Sequence, residues 1–394
     1  MAAFRTVLFW LHLAAGAISG VVIALLCLTG TALAFEKEIV AWFERDARRI
    51  EAPSGNVPRL GLDELAARVR SAFPAAKPAS IVISRDPTTA VAFTVSRTEG
   101  YHANPYTGEI RQPASYMIGR FMQTMFECHR YLALSGDSRP TGKLVTGIAN
   151  LAFCFLAVSG LFLWWPRSLS WRAFRPALWF TQNTSARARD WNWHNTIGFW
   201  CAPVLIGLTL TAMPISFRWA AELTYTLTGT PLPAGGPQSS GTPAPEATVP
   251  APATGAIPVA RDTLLVTVQR ELPDWSSVSL RFAHRPDPAK PQPTSITVRE
   301  LGTWPRTATT TLQFDPFTGA LLQSDGYDEL SAARKLRAWT RYLHTGEALG
   351  PWAQFIAGLA CLGGCFLVYT GFALSWRRFF GKRPAAPDAT GSTP

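Results

Sequence analysis

Four stretches of the chain, residues 7–35, 144–165, 196–217 and 352–376, are almost uninterrupted in apolar side chains. Each is at least as long as the roughly 20 residues that an α-helix needs to cross the hydrocarbon core of a bilayer. Continuous apolarity, without period-two alternation, predicts spanning helices and not barrel strands. Ala32-Leu33-Ala34 looks like a leader-cleavage site. However, the apolar core before it exceeds the usual ~7–15 residues of a leader and contains a histidine, so it reads as a span. Between the runs the pattern changes. Residues 62–73 and 262–272 have helical periodicity. Short alternating segments follow each, at 80–85, 91–97 and 101–110 and then at 277–283, 294–299 and 309–314. Both strand regions end in similar turns, Asn104-Pro105-Tyr106-Thr107-Gly108 and Asp315-Pro316-Phe317-Thr318-Gly319, where Pro and Gly set the backbone. Residues 230–258 are rich in Pro, Ala, Gly and Thr and read as an exposed flexible insertion.

The expected architecture is an integral membrane α-helical protein with four transmembrane helices in a duplicated parallel repeat, carrying two α/β domains. Span one occupies 1–35, the first α/β domain 36–143, span two 144–165 and a loop 166–193. Span three follows at 194–217, the second α/β domain at 218–351, span four at 352–376 and a tail at 377–394.

Charge sets the orientation. The chain carries 37 Lys and Arg against 26 Asp and Glu, a net +11, although only 16% of its residues are charged. The loop between spans two and three holds Arg167, Arg172, Arg175, Arg187 and Arg189 against one acid, Asp190. The tail adds Arg377, Arg378, Lys382 and Arg383. By the positive-inside rule these flanks and both termini are cytoplasmic, and both α/β segments lie outside. Trp10, Trp164, Trp165, Trp171, Trp191, Trp193 and Trp376 cluster at the same face, as an interfacial belt does. Most of the positive charge is therefore a topology signal, and no nucleic-acid surface is expected. All six cysteines lie inside or next to apolar segments, which argues against a disulfide framework. Cys361 and Cys365 read as small packing residues.

The halves repeat. His12-Leu13-Ala14-Ala15-Gly16 in span one matches His194-Asn195-Thr196-Ile197-Gly198 in span three, and Thr29-Gly30 matches Thr211-Ala212, all at one offset of 182 residues. His129 and His344 form a second pair, each beside an aromatic residue and a Leu, shortly before spans two and four. Ionisable groups in a span are costly and usually face the bundle interior. Two imidazoles at one depth, approaching from opposite sides of a pseudo-axis, are what a six-coordinate haem iron takes. Pairing His12 with His194 gives an inner b-type haem, and pairing His129 with His344 gives an outer one. Gly16 and Gly198 lie one turn from the inner histidines and would let a flat macrocycle approach the backbone. No Cys-x-x-Cys-His occurs, so no covalent c-type haem is expected. A single span histidine is as often a helix–helix hydrogen-bond partner. Zinc or copper ligation from His alone is also open. His102 and His284 belong to no pair and read as surface residues.

No Gly-x-Gly-x-x-Gly follows a strand, and the cytoplasmic parts are too short for a dinucleotide-binding βαβ unit. Electrons would come from a membrane quinol or a separate donor protein. The leading expectation is a dihaem b-type oxidoreductase that carries them outward to an acceptor docked at the outer domains. The alternatives are a non-enzymatic membrane protein that binds a peptide or protein through its outer domains, and a transporter.

The pattern resembles the PepSY-associated transmembrane family. The residues that carry the likeness are His12-x-x-x-Gly16 with Leu28-Thr29-Gly30, Asn104-Pro105-Tyr106-Thr107-Gly108-Glu109 and His129-Arg130-Tyr131-Leu132. Further along come Trp193-His194-Asn195-x-x-Gly198, Asp315-Pro316-Phe317-Thr318-Gly319 and Leu343-His344-x-Gly346. The resemblance implies PepSY-like outer domains on a four-helix core, two haems, and ferric-siderophore reduction in the periplasm of an inner-membrane protein. Ala212 in place of a second Thr-Gly, and the long Pro-rich insertion, depart from the pattern.

Overall fold

A computed structural model describes residues 2–381 apart from 56, 115, 167–169, 183–184, 238–246 and 282–291. From the N-terminus, α1 (Ala2–Ala34) leads through α2 (Glu36–Phe43) and α3 (Arg45–Arg48) to α4 (Leu62–Ala72). Strands β1 (Ser80–Ser84), β2 (Val91–Thr94), β3 (Gly100–Ala103) and β4 (Ile110–Arg111) follow, then α5 (Met117–Tyr131) and α6 (Arg139–Trp164). After α7 (Trp171–Leu178), α8 (Ala186–Ser216), α9 (Arg218–Leu227) and α10 (Arg261–Glu271) come β5 (Trp275–Arg281), β6 (Thr294–Glu300), β7 (Thr310–Phe314) and β8 (Leu321–Asp325). The chain closes with α11 (Ala332–His344) and α12 (Pro351–Phe380).

Helices α1, α6, α8 and α12 are each long and apolar enough to cross a membrane. They form a ring in which α1 meets α12 and α6, and α8 meets the same two. The outer face is greasy: Ile18 is 85% and Val21 72% exposed. So much uncovered apolar surface on a bundle is tolerable in lipid and not in water. The helices run past the apolar stretches that announce them. α8 starts ten residues before the apolar run 196–217, and this extension carries Asp190. That carboxylate is fully buried and pairs with Arg189 at 2.9 Å and with Arg377 of α12. Arg5 Nη2 donates to the Leu163 carbonyl at 2.7 Å. These contacts lock the end of the bundle that lies away from the sheet. All six cysteines are free, and Cys365 Sγ approaches the Ala24 carbonyl at 3.7 Å, as packing residues do.

The polar segments do not build two separate cores. Their strands join in one eight-stranded antiparallel sheet of order β4-β3-β2-β1-β5-β6-β7-β8. The seam is β1 against β5, with Ser80 opposite Arg281 and Ser84 opposite Ser277. Two separate domains would leave β1 and β5 as open edges, and pairing them satisfies both rows of backbone groups. One face of the sheet is covered by α4 and α10, and Leu65, Val69, Phe93, Val268, Ile296 and Phe314 are sealed between them. The two helices cap each other. Leu62 N–H donates to the Asp262 carboxylate at 2.9 Å, and Arg261 N–H donates to Asp63 at 2.9 Å.

Other expectations are corrected. The strand expected over 101–110 is broken by its own turn: Asn104 Oδ1 accepts from Tyr106 N–H at 2.9 Å and Gly108 has φ +76°. β8, which follows the Asp315 turn, is too polar to stand out in the sequence. The insertion 230–258 is not wholly exposed. Residues 238–246 lie outside the described residues, but Val249 is buried and Ala247 N–H donates to the buried Gln313 side chain at 2.8 Å. His102 is not a surface residue. Tyr101 and Ala103 point into the core under α4, so strand alternation puts His102 on the opposite face. There it is only 5% exposed, and its Nε2 lies 3.6 Å from Glu44. His284, Lys382 and Arg383 lie outside the described residues. His129 and His344 sit in the last turns of the amphipathic helices α5 and α11.

Candidate functional site

The four remaining histidines form two levels in the bundle. His12 and His194 lie in the early turns of α1 and α8. His129 and His344 reach the other ends of the same two helices from α5 and α11. Thr29, which meets His129, is 17 residues beyond His12 on α1, about 25 Å at 1.5 Å per residue. The levels are thus set a little closer together than the roughly 30 Å hydrocarbon thickness.

Tight packing at the helix ends aims the sheet-proximal histidines. α5 stops at Leu132 and Ala133, both left-handed, at φ 53° and 56°. The following helix then folds so closely onto it that a Cβ at Gly142 would stand 2.0 Å from the Tyr131 carbonyl oxygen. Thr146 Oγ1 donates to the Arg130 carbonyl at 3.1 Å. α11 stops at Thr345 and Gly346, the latter at φ +76° against the start of α12.

Every one of these imidazoles is held by its Nδ1, from a neighbouring helix. His12 bonds Ser159 Oγ of α6 at 2.8 Å. His194 bonds Thr370 Oγ1 of α12 at 2.9 Å. His129 bonds Thr29 Oγ1 of α1 at 2.9 Å. His344 bonds the Leu208 carbonyl of α8 at 3.0 Å, with Thr211 Oγ1 at 3.4 Å. The direction of these bonds follows from the other contacts. Thr29 and Thr370 each donate their hydroxyl hydrogen to a carbonyl one turn back, Leu25 at 2.6 Å and Phe366 at 2.8 Å. Their oxygens are then acceptors, so the histidine Nδ1 carries the proton. The Leu208 carbonyl can only accept, which imposes the same tautomer on His344. In His129, His194 and His344 the Nε2 then keeps its lone pair. This is the arrangement of a metal-ligating histidine, whose second nitrogen is tied down to fix ring orientation and tautomer.

Glycines make room for the rings. A Cβ at Gly30 or at Gly160 would lie 3.4 Å from Cε1 of His129 or His12, and one at Gly371 3.7 Å from Cε1 of His194. Each of these glycines directly follows the hydroxyl residue, as Thr29-Gly30, Ser159-Gly160 and Thr370-Gly371. Span three has Thr211-Ala212 instead, and there the imidazole bonds the Leu208 carbonyl in preference to the hydroxyl. A Cβ on Gly16 or Gly198 would touch Leu156 at 3.8 Å or Leu367 at 3.5 Å, ordinary contacts with the neighbouring helices. Sequence reasoning noticed Thr29 and Thr211 without their purpose and missed Ser159, Thr370 and the glycines after them. The signal was present, a hydroxyl residue followed by Gly or Ala in each span.

The rings of His129 and His344 face each other with centroids 6.4 Å apart and planes inclined by 49°. A metal held between two imidazoles needs about 2 Å to each nitrogen, and the ring centre lies roughly 1.1 Å further, giving a centroid separation of about 6.2 Å.

A family model described as the PepSY-associated TM region matches residues 9–378. The chain belongs to that family. All four paired histidines and their hydroxyl partners fall inside the matched residues of this PepSY-associated TM protein. Compared with curated proteins, it matches none. Among the described residues no three or more His, Cys, Asp and Glu side chains converge on a common point. Two nitrogens per level suit a group that brings its own four equatorial donors, and the donor set fits a b-type haem.

Proposed function

We propose that this PepSY-associated TM protein is a dihaem b-type oxidoreductase of the inner membrane that moves electrons across the bilayer to a periplasmic acceptor, a ferric siderophore. One observation carries the reading: four part-buried imidazoles at two levels of the bundle, each held at Nδ1, with the His129 and His344 ring centroids 6.4 Å apart. A haem bound at each level supplies a one-electron carrier. The protein's own residues do the rest. Thr29, Ser159, Thr370 and the Leu208 carbonyl hold the ligands in one tautomer, and Gly30, Gly160 and Gly371 let the rings lie against helix backbone. The ring of spanning helices keeps water away, so little has to reorganise when charge changes. The arginine-rich flanks favour cytoplasmic termini, which puts the sheet and the His129–His344 level on the periplasmic side. The matched halves are read as a tandem duplication with PepSY-like domains fused through their sheets. Electrons enter from a quinol or a separate donor at the His12–His194 level.

The test is a spectrum of the purified protein. Dithionite should reveal low-spin b-type bands with two haems per chain. His12→Ala should remove one haem and His129→Ala the other. A colourless preparation would end the proposal. The acceptor is tested separately: mixing the reduced protein with a ferric hydroxamate should reoxidise it, and a spectrum that stays reduced would remove the siderophore from the reading.

A further inference from the structure

Arg337 lies on α11 seven residues before His344, which is two helical turns, about 10 Å along the same face. Its Nε and Nη1 are sealed from solvent and have no hydrogen-bond partner among the described residues. Burial lowers its pKa from the usual guanidinium value, with the buried Tyr225 of α9 nearby opposing the shift. A guanidinium does not give up its proton in a protein. A guanidinium N–H sealed from water without an acceptor is a cost, and such groups are retained where an acceptor meets them.

The position is specific to one half. Seven residues before His129, at the matching place on α5, stands Met122, 2% exposed. The apolar residue shows what simple packing wants there, so Arg337 is not demanded by the fold. Arg130, another cation near this level, is already engaged: its Nε donates to Tyr131 Oη at 3.1 Å and its Nη2 to the Ile215 carbonyl at 3.3 Å. Arg337 is a half-buried cation with two sealed nitrogens that meet no acceptor among the described residues, on the sheet side of the His129–His344 pair.

We propose that Arg337 binds a carboxylate on the rim of the macrocycle held by His129 and His344, and that it makes this haem easier to reduce than its counterpart between His12 and His194. The inference rests on the dihaem reading. A b-type macrocycle carries two carboxylates on one edge, and the fork of a guanidinium matches a carboxylate with two parallel hydrogen bonds. A fixed positive charge beside the ring favours the reduced iron, which carries one positive charge fewer.

The experiment is a spectroscopically monitored redox titration of the full-length protein in detergent. Arg337→Met copies the residue found at the matching position, and Arg337→Lys keeps the charge without the fork. His344→Ala identifies which of the two potentials belongs to the sheet-proximal haem. The expected result for Arg337→Met is two haems retained, with that one potential lowered by about 59 mV, a tenfold change in the reduced-to-oxidised ratio for one electron. The other potential should not move, and Arg337→Lys should recover part of the shift. If the wild type holds two haems and Arg337→Met leaves both potentials unchanged, the inference fails while the dihaem reading stands. A wild type without haem overturns both. Should Arg337→Met instead lose a co-purifying phospholipid by mass spectrometry, with potentials unchanged, the anion is a lipid phosphate and the carboxylate assignment is wrong.

Discussion

Thr29→Val removes one oxygen and almost nothing else. Valine has the shape of threonine, and the Leu25 carbonyl that loses a donor remains in its helix. What changes is His129, whose Nδ1–H loses the acceptor 2.9 Å away. A buried donor without an acceptor costs about 1–3 kcal/mol. The ring can escape that cost by moving its proton to Nε2, but then it has no lone pair for a ligand bond. Removal of such an outer partner typically weakens metal binding by about 10–100-fold, which is about 1.4–2.7 kcal/mol. Thr211→Val is the informative control. In the sequence the two threonines are equivalent, yet His344 keeps the Leu208 carbonyl at 3.0 Å and uses Thr211 only at 3.4 Å. Its loss should cost about 0.5 kcal/mol, the low end for a hydrogen bond and a factor of about two. The assay is transfer of haem from the detergent-solubilised protein to an excess of a haem-scavenging apoprotein. In Thr29→Val one of the two haems should leave about 10–100 times faster. In Thr211→Val neither rate should change by more than about twofold. Equal effects of the two substitutions, or no effect of Thr29→Val in a folded protein, would refute the argument that Nδ1 anchoring fixes the ligands.

Gly160→Ala places a methyl 3.4 Å from His12 Cε1, whereas Gly371→Ala meets His194 at an ordinary 3.7 Å; the first should weaken the His12–His194 haem and the second should be tolerated, which haem content after size exclusion will report. Asp190→Asn leaves Arg189 and Arg377 without a counter-charge at a fully buried site. Both guanidiniums are partly exposed, so the expected loss is about 1–3 kcal/mol, read as a lower unfolding temperature in detergent, and an unchanged temperature contradicts it. Burial pushes the Glu44 carboxyl up, but hydrogen bonds from His102 and Arg48 outweigh it and the net shift is downward. Its contribution is then full above the ordinary carboxylate range and is lost as pH falls through the lowered value. Amide exchange in β3 should accelerate in acid, Glu44→Gln should flatten that dependence, and equal acid sensitivity in both proteins would count against it.

How far the sequence reaches depends on the length scale of the physics. The spans were legible because lipid imposes one-dimensional rules: length, continuous apolarity and flanking charge. α4 and α10 came out within a residue or two, since a helix over a sheet shows its burial as a period along the chain. β8 was missed because an exposed edge strand, with Leu321 and Ser324 turned outward, does not alternate clearly. His102 was misjudged because neighbouring residues on a strand face opposite sides, and only the packing of α2 and α3 reveals that both sides are covered.

The sequence by itself determined that this is a four-span membrane protein with two matched sets of histidines, because hydrophobic runs and repeated motifs are properties of order along a chain. Only the tertiary structure decided that the two polar segments share one sheet, that the imidazoles are gripped at Nδ1 from other helices, and that two nitrogens of Arg337 are sealed without a partner among the described residues. Those are relations between residues far apart in the chain, such as His129 with Thr29 and His194 with Thr370. A hydrogen bond or an unmet charge is a matter of a few ångströms in space, and no pattern along one strand of text encodes that distance until the helices have packed.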